Sequence, residues 1–195
     1  MKKILPWLVG LGILAIIVLW VMNVFNAFVA GEEEVESAWS QVENQYQRRA
    51  DLVPNLVATV KGYAEHEHST LESVMEARAK ATQITIDPLN ATPQQLAAFQ
   101  SAQGELSQAL GRLMAVAESY PDLKANENFR QLADQLEGTE NRIAVARQQF
   151  NETARSYNTL VRRFPSNIIA MCFGFEKKPY FEAEAGAAKA PKVEF

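Results

Sequence analysis

Residues 4–25 read ILPWLVGLGILAIIVLWVMNVF, a run without charge in which only Asn23 is strongly polar. As a helix these residues reach roughly 33 Å, enough to cross a hydrocarbon core of about 30 Å. The rival reading is a cleaved secretory leader, since Lys2 and Lys3 precede the run. Such a leader carries only about 7–15 apolar residues and ends in a small-x-small site. Here the run is longer, and Ala27-Phe28-Val29-Ala30 places bulky Phe28 where a small residue belongs. A retained transmembrane anchor over residues 1–25 is the expectation. No cysteine lies near residue 25, which excludes a lipoprotein anchor. Trp7 and Trp20 are placed to meet the two headgroup zones. Lys2 and Lys3 stand before the run and Glu32-Glu33-Glu34 after it, so the positive-inside rule puts the bulk of the chain outside the cytoplasm, on a single-pass anchor in the inner membrane.

Beyond the run, 17 basic residues face 23 acidic ones, without the basic stripe that a nucleic-acid surface needs. The 195 residues suffice for one domain and an accessory segment. Cys172 is the only cysteine and there are two histidines, so neither an intrachain disulfide nor a Cys/His zinc site can be built.

Apolar residues then recur at alternating steps of three and four, through Val35, Trp39, Val42, Tyr46, Val53, Leu56, Val60, Tyr63, Val74, Ala77, Ala81 and Ile84. That is the seam of an amphipathic, coiled-coil-like helix, about 75 Å long if continuous. It breaks at Arg49 and around residues 67–70, and Pro54 predicts a kink or a restart with Asp51 as cap. Thr92-Pro93-Gln94-Gln95 carries a cap, a proline at the first helical position and a capping-box glutamine, so a second helix starts there and ends by Pro121. Residues 122–125 read as a turn. Asn126 is placed to cap a third helix with the stripe Phe129, Leu132, Leu136, Ile143, Ala146, Phe150, Tyr157, Leu160 and Phe164, stopped at Pro165. Short links between long amphipathic helices make antiparallel neighbours, so the expected fold is all-α, an antiparallel bundle of three to four helices over residues 26–175. The apolar residues 167–175 are too few to cross a bilayer. They read as a short fourth helix closing the bundle, with contact to a membrane or a neighbouring subunit as the alternative. Residues 176–195, rich in Ala, Glu and Lys, are expected to be a flexible tail, in which Val193 and Phe195 form a candidate docking pair.

Chemistry is harder to find. Glu65-His66-Glu67-His68 resembles a metal motif, but residues two apart on a helix do not share a face. No phosphate loop or nucleophile-base pair stands out, so no catalytic residue, metal or cofactor is expected. The informative oddities are polar interruptions of the seams: Arg48, Arg49 and Asp51 in the first helix, and Glu137, Glu140 and Arg142 around Gly138 in the third. Helices running side by side would let Arg48 or Arg49 pair with Glu137 or Glu140. The layer would fix register or form a notch for a partner. Gly138, unfavourable inside a helix, suggests close helix approach or a local break.

The same segments carry a family resemblance. The blocks AWSQVE at 38–43, QYQRRADLVPNLV at 45–57, VKGYA at 60–64, YPDLKA at 120–125, LEGTENRI at 136–143, Tyr157-Asn158 and Phe164-Pro165 closely resemble the LemA family over nearly the whole chain. The resemblance implies a bacterial single-pass membrane protein with an antiparallel helical bundle and no defined catalytic activity, in a family often associated by genomic context with membrane proteases or stress functions. The expected role is that of a binding or scaffold protein of the cell envelope, whose partners are the lipid bilayer and a second copy of itself or another membrane protein such as a protease. The alternative is a hydrolase or cation-dependent enzyme with an unrecognised site.

Overall fold

A computed structural model describes residues 5–182, which are helical throughout apart from their connections. Val193 and Phe195, the candidate docking pair, lie outside the described residues. Six helices follow in order: α1 (Leu5–Lys61), α2 (His68–Gln83), α3 (Pro93–Ala117), α4 (Pro121–Ala125), α5 (Glu127–Arg162) and α6 (Ser166–Phe173).

The apolar run and the first seam are one helix. α1 begins in the run, is bare of contacts along Leu8–Leu19 apart from solvent-facing neighbours on its own turns, and continues without interruption to Lys61. It is long and apolar enough at its start to cross a membrane. The helix passes residue 25 without a break. The first seam, in turn, is two helices. The chain turns back at residues 62–67, and α2 packs against both α1 and α3. Tyr63, read as a seam residue, stands exposed in this turn, as do Glu65 and His66. From Val35, where the seam begins, α1 rises about 39 Å before the turn, instead of the roughly 75 Å of an unbroken helix, and from residue 25 it rises about 54 Å.

Pro54 neither kinks α1 into two nor restarts it. A proline at this position removes the N–H that would bond the carbonyl of Ala50, four residues back. Arg78 of α2 replaces that donor, its Nε giving a 2.7 Å hydrogen bond to the Ala50 oxygen. Asp51 is an exposed mid-helix residue accepting from Gln47 Nε2 at 2.9 Å, and caps nothing. The other helix starts match their signals. Thr92 and Gln95 close a reciprocal capping box, and the Asn126 side chain accepts from the Phe129 amide. Residues 122–125, read as a turn, belong to the single-turn helix α4.

α5 runs antiparallel to α1 in strict step. Arg49 meets Glu140, Trp39 meets Phe150 ten residues further along each helix, and Glu32 meets Tyr157 seven beyond that. Close approach occurs at Gly31, not at Gly138. A Cβ on Gly31 would lie 2.9 Å from the Tyr157 ring, whereas one on Gly138 would touch nothing. α5 passes Gly138 unbroken.

The segment after α6 is not a loose tail at its start. Gly174 turns the chain in the left-handed conformation (φ +78°), and residues 175–182 form a strap running back along α5. Asn158 clamps Lys178 through both its backbone amide and its carbonyl, at 2.8 Å each. Asn151 clamps Phe181 in the same way, at 2.9 Å each. Seven residues of helix rise about 10.5 Å and three extended residues span about 10 Å, so two asparagines on one face of α5 match every third residue of the strap. Phe181 is thereby buried, stacked on Trp39 with centroids 5.8 Å apart and edge-on to Phe150.

Two outcomes check these points. Arg78→Ala should cost about 1–3 kcal/mol, the penalty of orphaning a partly buried carbonyl, and clearly less in a Pro54→Ala background where the helical N–H is restored; equal costs in both backgrounds would reject the replacement of the missing bond by Arg78. Phe181→Ala should lower stability by about 3–5 kcal/mol, as for an aromatic lost from a core, and a change under about 1 kcal/mol would mean that the strap is not part of the fold.

A buried arginine layer and the groove beside it

The interior divides into two apolar clusters. The one nearer the apolar run includes Phe28, Trp39, Tyr46, Phe99, Ile143 and Phe150. The far one includes Val53, Leu56, Leu106, Leu110, Leu113 and Leu136. On each helix a polar residue occupies the step between them: Arg49 between Tyr46 and Val53, Gln103 between Phe99 and Leu106, and Thr139 with Glu140 between Leu136 and Ile143.

Arg49 organises this layer. It is only 1% exposed. Nη1 donates to Ser107 Oγ at 2.6 Å and to Glu140 Oε1 at 2.8 Å, while Nη2 donates to the side-chain oxygen of Gln103 at 2.6 Å and to its carbonyl at 3.1 Å. The guanidinium lies over the Tyr46 ring, 5.1 Å from its centroid. Gln103 passes the connection on, its Nε2 donating to the Ala81 carbonyl at 3.0 Å. One side chain of α1 thus ties together α2, α3 and α5. A planar fork with fixed donors suits this task, where a lysine would supply one point charge.

Of the other candidates, Arg48, Asp51, Glu137 and Arg142 are exposed and outside this network. Glu140 is the one acidic member, and its side chain keeps 38% exposure. Gln103 and Ser107 escaped the sequence reading. The available signal was Gln103 itself, which fills the vacant seam position four after Phe99 and three before Leu106.

Glu140 and Ser107 also line a groove of about 460 Å³ between α3 and α5. Its apolar surface comes from Leu110, Met114, Ala133 and Leu136, and Asp134 and Glu137 add carboxylates at steps of three along α5. The groove therefore presents an acidic rim over an apolar floor, backed by the buried layer.

A second polar centre locks the strap. Lys178, 5% exposed, donates from Nζ to Glu32 Oε1 at 2.8 Å and to the Leu89 carbonyl at 2.9 Å, with its ammonium over the Tyr157 ring. Tyr157 donates to the same Glu32 oxygen at 3.0 Å. Burial, reinforced by that bond to a carboxylate, holds the phenol above the ordinary tyrosine range. Both Nη atoms of Arg49 and the Nζ of Lys178 are taken up within their own centres, while Arg49 Nε is buried without a partner. Among the described residues no three His, Cys, Asp or Glu side chains converge as metal ligands would, and His68 opens α2 instead of sharing a helix face with His66.

The layer makes an ordered series of losses. Arg49→Ala should destabilise by about 3–5 kcal/mol, because it breaks the pair with Glu140 and strands the buried Gln103 side chain. Arg48→Ala and Glu137→Ala, at exposed positions, should each change stability by under about 1 kcal/mol. Denaturant melts of the three variants check this, and equal losses at Arg48 and Arg49 would contradict the geometry.

The LemA family matches residues 38–195 of the chain. The magnetosome protein MamQ of Magnetospirillum gryphiswaldense is 31% identical over 180 residues, covering 83% of this chain and 66% of the relative. Magnetosome protein MamQ 2 of Paramagnetospirillum magneticum is 30% identical, covering 87% and 68%. Protein LemA of Metamycoplasma hominis is 24% identical, covering 81% and 68%. The chain thus spans about two thirds of the length of these relatives. The match takes in every residue of the buried arginine layer, the acidic groove and the strap, and the chain belongs to the LemA family.

Proposed function

We propose that this protein is a non-catalytic docking protein of the bacterial cell envelope, anchored in the inner membrane by residues 4–25, which uses the groove between α3 and α5 to hold a partner segment carrying lysine or arginine among apolar residues. The groove carries the reading. Its apolar floor of Leu110, Met114 and Leu136 has three carboxylates beside it, from Asp134, Glu137 and Glu140. The charged groups buried within the bundle are taken up in structural bonds, which leaves surfaces as the means of action. The partner is a second copy of this chain or another membrane protein, a membrane protease among the candidates. Lys2 and Lys3 before the apolar run and Glu32-Glu33-Glu34 after it favour an extracytoplasmic bundle. Two of the relatives are named as magnetosome proteins, and their particular role is not passed to this chain.

One experiment tests both parts. In a Cys172→Ser background, single cysteines at Gly111 or Ala133 in the groove, or at exposed Glu72 on α2, are coupled in intact spheroplasts to a membrane-impermeant photocrosslinker. Groove positions should give discrete adducts that are lost on Asp134→Lys/Glu137→Lys with an unchanged melting temperature, and mass spectrometry then names the partner. Labelling only after lysis would reverse the orientation. Adducts identical at residue 72 and in the groove, or insensitive to charge reversal, would reject the docking role.

A further inference from the structure

The short helix α6 has a buried side and a bare one. Ile169 and Ala170 pack inward, while Ile168, Met171 and Phe173 stand exposed, Met171 at 82%, with exposed Phe164 just before the helix. Such a cluster on a chain of 22% charged residues calls for a covering surface. Its position says which. The Phe173 ring meets Phe25 edge-on at 5.1 Å, and Phe175 meets both Phe25 and Phe28. Val21 and Val24 are already part of the same cluster as Ile169 and Ala170. α6 is therefore a collar on the last turn of the apolar run. Counting about 1.5 Å per residue, it sits in the final 6 Å or so of a 33 Å span, where hydrocarbon gives way to headgroups.

The charges around it agree. From Thr153 to Phe175 the chain has no acidic residue and three arginines. Arg155, Arg162 and Arg163 share a surface pocket of about 340 Å³ with Tyr180 of the strap. None of the three guanidinium groups has an ion-pair partner among the described residues. Carrying the step between α1 and α5 five residues past Tyr157 sets Arg162 opposite Ala27, one half-turn beyond Phe25. Apolar side chains that point to the acyl boundary, with arginines at phosphate depth, make an interfacial contact selective for anionic lipid.

We propose that α6 is a second membrane contact, seated in the headgroup layer beside the span, with Arg162 and Arg163 binding the phosphates of anionic lipids. This rests on the reading of residues 4–25 as a membrane span. The full-length protein is reconstituted in vesicles of phosphatidylcholine alone or with about one third phosphatidylglycerol. Cys172, exposed on α6, takes an environment-sensitive fluorophore; the control probe sits at Asn90→Cys in a Cys172→Ser background. Flotation with vesicles measures the anchor independently of the probes. Quenching by lipids with a nitroxide near the headgroup should be roughly threefold or more stronger at residue 172 than at residue 90, with iodide quenching correspondingly weaker. Phosphatidylglycerol should increase the lipid quenching, and Arg162→Gln/Arg163→Gln should cancel that increase. Met171→Glu should reduce lipid quenching in both lipid mixtures while flotation persists. Vesicle-bound protein whose residue 172 probe is as open to iodide as the residue 90 probe would overturn the proposal, as would probe-probe contact between copies without lipid quenching. Failure to float would instead remove the anchor itself.

Discussion

A guanidinium taken out of water is costly unless its donors are met, and the bundle is arranged around meeting those on the two Nη atoms of Arg49, with Nε left unpartnered. Its four hydrogen bonds reach Gln103, Ser107 and Glu140, on α3 and α5. Slipping α5 by one turn against α1 would carry Glu140 away and leave the charge unmatched. Apolar packing alone tolerates such slips far better, since one Leu or Val replaces another at similar cost. The layer therefore acts on uniqueness: it chooses one register among several that the hydrophobic seams would accept. The same register puts Trp39 on Phe150 and Tyr157 beneath Lys178.

How far this was legible depends on whether a signal was local. Helix starts were, because Thr92 with Gln95 and Asn126 with Phe129 act within one turn. The seams were, because period and burial coincide at Val35, Val42, Leu106 and Phe150. The interruption at Arg49 was visible, as was an acidic interruption on the third long helix. Its neighbours Arg48 and Glu137 differ from Arg49 and Glu140 only in the direction each side chain leaves its helix. Arg48 leaves α1 about 100° round from Arg49 and Glu137 leaves α5 about 60° round from Glu140, and phase over so long a helix is not fixed by pattern alone.

What stayed hidden involved partners far apart in sequence. Pro54 reads as a break because its missing N–H is local, while its compensation by Arg78 comes from another helix. Gly31 reads as an ordinary residue of an apolar stretch until the Tyr157 ring is laid on it. The strap has the composition of a tail, and is fixed by Asn151 and Asn158, whose spacing has meaning only opposite an extended chain. A buried lysine at 178 could not be anticipated without Glu32, 146 residues away.

The continuity of α1 has a mechanical consequence. A span joined to its soluble domain by a flexible linker can lean in the bilayer without moving that domain. Here the helix that begins in the apolar run, the candidate span, is also the spine of the bundle, and α6 packs on it where the run ends. Helices adapt to bilayer thickness by tilting. A tilt of about 10° carried rigidly along some 54 Å of helix would move the turn at residues 62–67 sideways by roughly 9 Å, about the diameter of a helix. The groove, which lies opposite residues 49–55 of α1, would be carried sideways over the membrane plane with it.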